Sequence, residues 1–541
     1  MRQISLKSSS LIILLTFYFS FVLNIAFWIY IYNNVDVTSF SVGLFACTLP
    51  FFIFAPMYII INVLMVPLLG KFIISLLMIT SAVSSYMMYS YGVYVDSDMI
   101  RNVFETNAKE AADLVTIWVV LWTFFLGIVP SVLLFLVKIK YKPLKKELKR
   151  RLFMAILSFI TVGIIAALSY KEYVSFGRNN SQVRKLITPV NYIYSMWKYF
   201  KLESLANRNL EKLDPEAKLM PHEDPAFTVV VMMVGETARA QNFALSGYDR
   251  NTNPNLIKED IVYFDSVSSC GTSTAISVPC LFSNMNKKSF DVTNAKYTEN
   301  ILDLARESGY NVLWLENDGG CKGVCDRVSS EDVTKTQKSG KYCDDESCYD
   351  EALLEGLEDY LRDIKQDTVI VLHTIGSHGP TYYKRYPDKF LTFKPTCDTA
   401  QIQDCTKEEI VNTYDNTIVY TDYIISQAID KLKKFPSYES GLLYISDHGE
   451  SLGERNIYLH GLPYAIAPKE QTSVPMILWM SENMKKYDYI DYQCMKNDAK
   501  NKDYSHDNLF HSLLGLLEIN TKVYDKELDM FENCRTKALP H

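Results

Sequence analysis

Four apolar runs in the second half of this chain end in residues that can do chemistry. FTVVVMMVGE ends at Glu236, and YNVLWLEND ends at Asp318 with Lys322 close behind. DTVIVLHTIGSHG ends at His373 and His378, and GLLYISDHGE at Asp447, His448 and Glu450. A fifth segment, CGTSTAISVPC (Cys270–Cys280), sets Thr272, Ser273, Thr274 and Ser277 between two cysteines with no charge among them. Glu236, Asp447 and His448 form a mixed oxygen and nitrogen donor set that suits zinc, with manganese as the rival. Asp447 and His448 are adjacent and would face opposite ways on a regular strand; Gly449 permits the turn that lets both meet one ion. A metal beside a hydroxyl lowers its pKa and makes a nucleophile at neutral pH. Amide N–H groups at a helix start would add a cradle for phosphate. Residue types alone do not choose among the four hydroxyls, since any of the first three could serve simply as a helix N-cap. Of eight histidines, four (His373, His378, His448, His460) sit in glycine-bearing strand-end contexts, which suits a site handling metal, phosphate and protons.

The elements that must position these groups follow from the runs themselves. Continuous β-branched and apolar stretches, rather than alternating ones, predict strands buried on both faces of a largely parallel sheet. Between them, Asp350–Gln366 and Thr417–Phe435 carry helical apolar faces. The alternation predicts a doubly wound α/β domain, whose ligands bind beyond the carboxyl ends of the strands.

The first part of the chain is different. Of 541 residues, those before about 170 hold five apolar segments near the roughly 20 residues needed to cross a bilayer. They run Leu11–Tyr32, Val42–Leu69, Phe72–Val93, Thr116–Val137 and Leu152–Tyr170. Arg2, Lys7, Lys71 and the loop Lys138–Arg151, with eight basic residues and one acid, mark the cytoplasmic side. Five spans with the N-terminus inside leave the rest of the chain outside. The expected layout is residues 1–170 as a five-helix transmembrane domain, 171–225 as an interfacial connector and linker, and 226–541 as a catalytic α/β domain. A net charge of −7 with no basic stripe in the soluble part argues against a nucleic-acid partner.

Of eleven cysteines, Cys47 lies in a span and the other ten lie in the soluble part. In an oxidising compartment, sequential pairing gives Cys270–Cys280, Cys321–Cys325, Cys343–Cys348, Cys397–Cys405 and Cys494–Cys534. A structural zinc site on the C-x3-C and C-x4-C segments is the rival reading.

Taken in order behind five spans, VGETARA, SCGTSTAISVPC, NDGGCKGVCD, GSHGPTYYKRYP, NTYDNT, SDHGESLGE and YLHG resemble the phosphoethanolamine–lipid A transferases. That family includes the mobile colistin-resistance enzymes and belongs to the alkaline phosphatase–sulfatase superfamily. The resemblance implies an alkaline phosphatase-like soluble fold in a multi-pass protein of the Gram-negative inner membrane, its catalytic domain periplasmic. It selects Thr274 as nucleophile and metal ligand, completes the zinc site with Glu236, Asp447 and His448, and leaves room for a second zinc. Lys322, His378 and His460, with His373, would line the phosphate pocket. It implies phosphatidylethanolamine as donor, lipid A as acceptor, a monomer, and polymyxin resistance through reduced outer-membrane charge.

Other acceptors, such as core heptose or periplasmic glucan, fit the same motifs, as does a related phosphatase or sulfatase. A sulfatase's C/S-x-P-x-R is absent from the nucleophile loop, and a hydrolase has little need of five spans. Asn102, Thr106 and Glu110 fall at i, i+4 and i+8, a polar stripe that could hold an ethanolamine headgroup or simply face solvent.

Overall fold

The computed structural model describes residues 5–537 apart from 38, 92–94, 96–99, 101–116, 207, 221–225, 338–339, 345–346 and 401. The chain forms two compact units, Met1–Arg208 and Asn209–His541.

In the first unit, four helices among the described residues are long and apolar enough to cross a membrane: Phe40–Leu64, Gly70–Ser90, Ile117–Leu136 and Leu144–Arg178. A fifth span exists if Ser8–Val22 and Ile25–Asn34, bent by 51°, are taken together. The first apolar run is thus not one straight helix. At the break, the buried Asn24 side chain donates to the carbonyls of Phe19 (2.7 Å) and Thr188 (2.9 Å). A side-chain amide that supplies its own backbone partners offers an alternative to the helical ladder. The last helix starts well before its apolar run, in the basic segment. There Glu147 pairs with Arg150 and Arg151 one turn on, and good helix formers continue the pattern.

The second unit is built on a seven-stranded sheet. Its strands are β1 (Thr228–Gly235), β2 (Ile261–Phe264), β3 (Asn311–Glu316), β4 (Ser329–Asp332), β5 (Thr368–His373), β6 (Glu439–Ser446) and β7 (Met476–Met480). Their spatial order is β2-β7-β6-β1-β5-β3-β4. From β6 to β4 the neighbours are parallel, while β7 is antiparallel to both β6 and β2. All residues of β1, β5 and β6 are buried, as continuous apolar runs require; each large side chain contributes about 1.5–3 kcal/mol. The short strands β2, β4 and β7 extend the sheet beyond the four runs legible in the sequence. Helix α1 (Thr274–Leu281) and helix α2 (Lys407–Lys433) flank it, and α2 opens on a capping box between Thr406 and Glu409. The helix expected over Asp350–Gln366 is two shorter pieces, Asp350–Leu354 and Leu357–Arg362, because Gly356 between them is left-handed at φ 75°.

Gly235 closes β1 where the sheet admits no side chain. A Cβ there would stand 2.7 Å from Tyr444 Cζ, on the neighbouring fully buried β6. Gly235→Ala is therefore expected to lower the unfolding free energy by about 1–3 kcal/mol through overpacking. Thermal unfolding of the purified protein measures this, and an unshifted midpoint would contradict the packing.

Candidate active site

The register of the parallel strands decides what meets at their carboxyl edge. Ser446 on β6 lies beside Gly235 on β1, and His373 on β5 lies beside both Val234 on β1 and Glu316 on β3. The next residues, Glu236 and Asp447–His448, are therefore neighbours, at the roughly 4.8 Å spacing of adjacent strands. Glu236, Asp447 and His448 are all fully buried.

Three donor atoms in this cluster, Glu236 Oε1, Asp447 Oδ2 and His448 Nε2, are buried without a hydrogen-bond partner among the described residues. His448 Nε2 stands 3.6 Å from Glu236 Oε1 and 3.3 Å from Asp447 Oδ2. The other ring nitrogen, Nδ1, lies 2.9 Å from the Gly449 carbonyl and so carries the hydrogen, leaving Nε2 an open lone pair. Ligands 2.0–2.1 Å from a tetrahedral zinc stand about 3.3 Å apart, so these donors fit one such ion. The chain turn after β6 brings the adjacent Asp447 and His448 to one point, and Gly449 beyond them is not left-handed but admits the Glu470 carbonyl, which a Cβ there would overlap. The remaining Asp447 oxygen, Oδ1, accepts the N–H groups of His448 (2.7 Å) and Thr237 (3.2 Å).

The structure also distinguishes the four hydroxyls. Thr272 donates to the Leu462 carbonyl at 2.6 Å, and Ser277 accepts the Gly271 N–H at 3.0 Å. Ser273 is the N-cap residue of α1, without a side-chain cap bond. Thr274, the first residue of α1, points its Oγ1 to Glu236 Oε2 at 3.1 Å. The Cys270–Cys280 disulfide closes the loop around it, one of five sequential pairs that form. Because Cys321, Cys325, Cys343 and Cys348 are disulfide-bonded, they offer no thiolates to a structural zinc.

Three histidine rings gather on one side. His460 lies 4.3 Å from His448 and 6.1 Å from His378, centroid to centroid, and its Nδ1 faces Glu450 Oε2 at 3.3 Å. Ligand atoms of Glu236, His448 and His460 come within 4.8 Å of one another, as do those of Glu236, Asp318 and His373. His373 is wholly buried, with Nδ1 on Glu316 Oε2 at 2.8 Å and Nε2 3.8 Å from Asp318 Oδ2. Glu316 also accepts the Trp314 indole N–H at 2.8 Å. Lys322 lies on the same loop; its Nζ donates to the Gly319 carbonyl at 3.2 Å, and its charge acts on Asp318. Asn102, Thr106 and Glu110 lie outside the described residues.

Several contributors escape a reading of the sequence. Glu316 orients His373. His506, fully buried, accepts the Cys270 N–H on Nδ1 (3.2 Å) and donates from Nε2 to the Ser446 carbonyl (3.1 Å), joining the Cys270–Cys280 loop to the end of β6. Gly376 sits at φ 46° where a Cβ would be 2.7 Å from the Glu236 carbonyl. Thr237, next to Glu236, is left-handed at φ 53°, a strained conformation for a β-branched residue that costs about 1–3 kcal/mol.

Without a metal the cluster must hold protons. Burial, then the charges of Asp447 and Asp318, keep Glu236 well above the usual carboxylate range. Burial raises Asp318 to about 7. Burial pushes His373 down, but its hydrogen bond and charge interaction with Glu316 outweigh this and raise it. All three bind protons more tightly folded than unfolded, so the stability they contribute is lost as pH rises. His378 and His506 act in the opposite sense, since burial lowers both to about 3, but above the ordinary histidine value of 6.5 both are neutral in either state. The unfolding midpoint of the metal-free protein is therefore expected to fall between pH 6.5 and about 7.5, with a shallower fall in Asp318→Asn. A rise over that window would contradict the assignment.

This sheet, with a hydroxyl, carboxylates and imidazoles at its carboxyl edge, defines a sulfatase-type catalytic domain, and residues 228–519 match the Sulfatase family. Residues 53–204 match the family Phosphoethanolamine transferase EptA/EptB. The chain is 42% identical over 541 residues to phosphoethanolamine transferase EptA of Escherichia coli K12, covering 99% of this chain and 98% of that one. It is 38% identical over 429 residues to phosphatidylethanolamine transferase Mcr-1 of Escherichia coli, covering 76% and 78%. The solved structure of the integral membrane lipooligosaccharide phosphoethanolamine transferase A from Neisseria meningitidis matches with a TM-score of 0.66 at 41% identity, covering 98% of this chain and 99% of that one. The chain belongs to the phosphoethanolamine transferase family.

Proposed function

We propose that this protein moves phosphoethanolamine from phosphatidylethanolamine to a phosphate of lipid A through a covalent intermediate on Thr274. The observation that carries the reading is the Thr274 hydroxyl, 3.1 Å from Glu236 Oε2 and beside donor atoms that no hydrogen bond satisfies. Glu236, Thr274, Asp447 and His448 would hold zinc. When bound, it would supply Lewis acidity that lowers the hydroxyl's pKa and offsets phosphate charge. The name of the Mcr-1 relative contains phosphatidylethanolamine and that of the Neisseria meningitidis relative lipooligosaccharide, which supports a phosphatidylethanolamine donor and a lipopolysaccharide-type acceptor.

In the first half-reaction Thr274 Oγ forms a bond to phosphorus as the bond to the glycerol oxygen breaks, and diacylglycerol leaves. Glu236 Oε2 faces the hydroxyl hydrogen and is its first acceptor. His460, whose ring lies against that of His448, hands a proton to the departing oxygen. In the second, a lipid A phosphate oxygen forms the new bond to phosphorus as the bond to Thr274 breaks, and the proton held on Glu236 returns to the Thr274 oxygen. The acceptor's proton restores His460, His378 lines the phosphate pocket as a neutral imidazole, and Lys322 can swing from Gly319 to neutralise phosphate oxygens. The two displacements mean that two bulky lipids never share the site. The protein acts as a monomer in the inner membrane, N-terminus cytoplasmic and catalytic unit periplasmic. The product lowers outer-membrane negative charge and gives resistance to polymyxins such as colistin.

Mass spectrometry of lipid A from cells expressing the chain is expected to show added phosphoethanolamine, absent with Thr274→Ala. Intact-protein spectra are expected to place a phosphoethanolamine adduct on Thr274. Unmodified lipid A together with that adduct would overturn the acceptor, and an adduct elsewhere would overturn the nucleophile.

A further inference from the structure

The segment NTYDNT, Asn412–Thr417, lies in the middle of α2 and is fully or almost fully buried. Its side chains reach into several loops around the site. Asp415 accepts from Asn242, Tyr248 and Arg250, Asn416 caps the N–H groups of Thr392 and Phe393, and Thr417 meets Ser377 at 2.6 Å. Tyr414 does something more specific.

We infer that Tyr414 is a positioning residue for the paired carboxylates Glu236 and Asp447, acting through the backbone conformation of Thr237. The Tyr414 hydroxyl donates to the Thr237 carbonyl at 2.7 Å and accepts the Arg239 N–H at 3.0 Å. Its ring is fixed edge-on to Tyr382, with centroids 5.5 Å apart and planes at 88°, and the Arg239 guanidinium lies 5.7 Å from its centroid. Thr237 is covalently joined to Glu236, and its N–H donates to Asp447 Oδ1. The Glu236–Thr237 peptide therefore reaches both carboxylates, Tyr414 holds the following peptide, and the two are joined through Thr237, a residue that resists its left-handed conformation. The backbone on either side is also tied. Ser377 N–H donates to the Glu236 carbonyl at 3.0 Å, and Ala238 N–H to Ser446 Oγ at 2.8 Å. If the hydroxyl is removed, Thr237 can relax toward extended backbone. That turns its N–H away from Asp447 and rotates Glu236.

This inference rests on the zinc reading above, so its test is zinc binding by the full chain in detergent, measured by competition with a chromophoric chelator. Tyr414→Phe keeps the ring and deletes only the hydroxyl. It is expected to weaken zinc binding by about 10–100-fold, the usual effect of losing support behind a ligand. Adding Thr237→Gly, which adopts positive φ without strain, is expected to restore most of that loss. Tyr420→Phe, which deletes an equally buried hydroxyl on the same helix bonded to Glu351, is expected to lower the unfolding midpoint but leave zinc affinity unchanged. An unchanged affinity in Tyr414→Phe, a loss that Thr237→Gly does not repair, or an equal loss in Tyr420→Phe would each overturn the inference. If Tyr414→Phe alone does not fold, the double variant is expected to fold and bind zinc, and its failure would also overturn it. A wild-type chain that binds no zinc would instead overturn the zinc reading on which the inference stands.

Discussion

Buried negative charge at the carboxyl edge of β1 and β6 is the constraint on which the rest of this site depends. Glu236 and Asp447 are fully buried, and Asp318 lies close enough to push Glu236 upward. Carboxylates removed from water without partners cost several kcal/mol each, so the cluster must be neutralised by protons or by a cation. His373 meets part of that demand from the β5 side, braced by Glu316. On the β6 side the open lone pair of His448 cannot, because it is an acceptor among acceptors. That arrangement is costly unless a cation sits among the three atoms, and their spacing matches one.

Much of the surrounding chain holds this arrangement in place. Parallel register makes Glu236 and Asp447 neighbours, and Gly235 and Gly376 clear the space that side chains would fill. The Cys270–Cys280 disulfide and His506 fix the loop that carries Thr274 against the end of β6. The hydroxyl of Thr274 then meets Glu236 from outside the sheet, where the mouth of a doubly wound fold receives its ligands. Stability is given up locally, at Thr237 and in the unpartnered donors, and is supplied by the buried strands beneath.

The parts legible in the sequence were those written in local pattern. The runs leading to Glu236, Asp318, His373 and Asp447 are apolar throughout because both faces of the sheet are covered, and each terminates in its polar residue. Strands β2, β4 and β7 were not singled out because they are only four or five residues long. Gly356 splits a helix whose apolar periodicity looked continuous, and Asn24 bends a span whose composition looked uniform. The choice of Thr274 needed the family resemblance, since four hydroxyls share one loop and only the fold shows which one faces Glu236. Glu316, His506 and Tyr414 act across 57, 236 and 177 residues of chain, and no local spacing encodes such contacts.

On the function proposed above, the cluster at the strand ends holds a metal ion. Elemental analysis of the purified full-length protein, without added metal, tests it most directly. About one zinc per chain is expected in the wild type, as for a site of this donor set, with clear loss in a folded Asp447→Asn variant. A folded wild-type protein free of metal, or full occupancy in that variant, would contradict it.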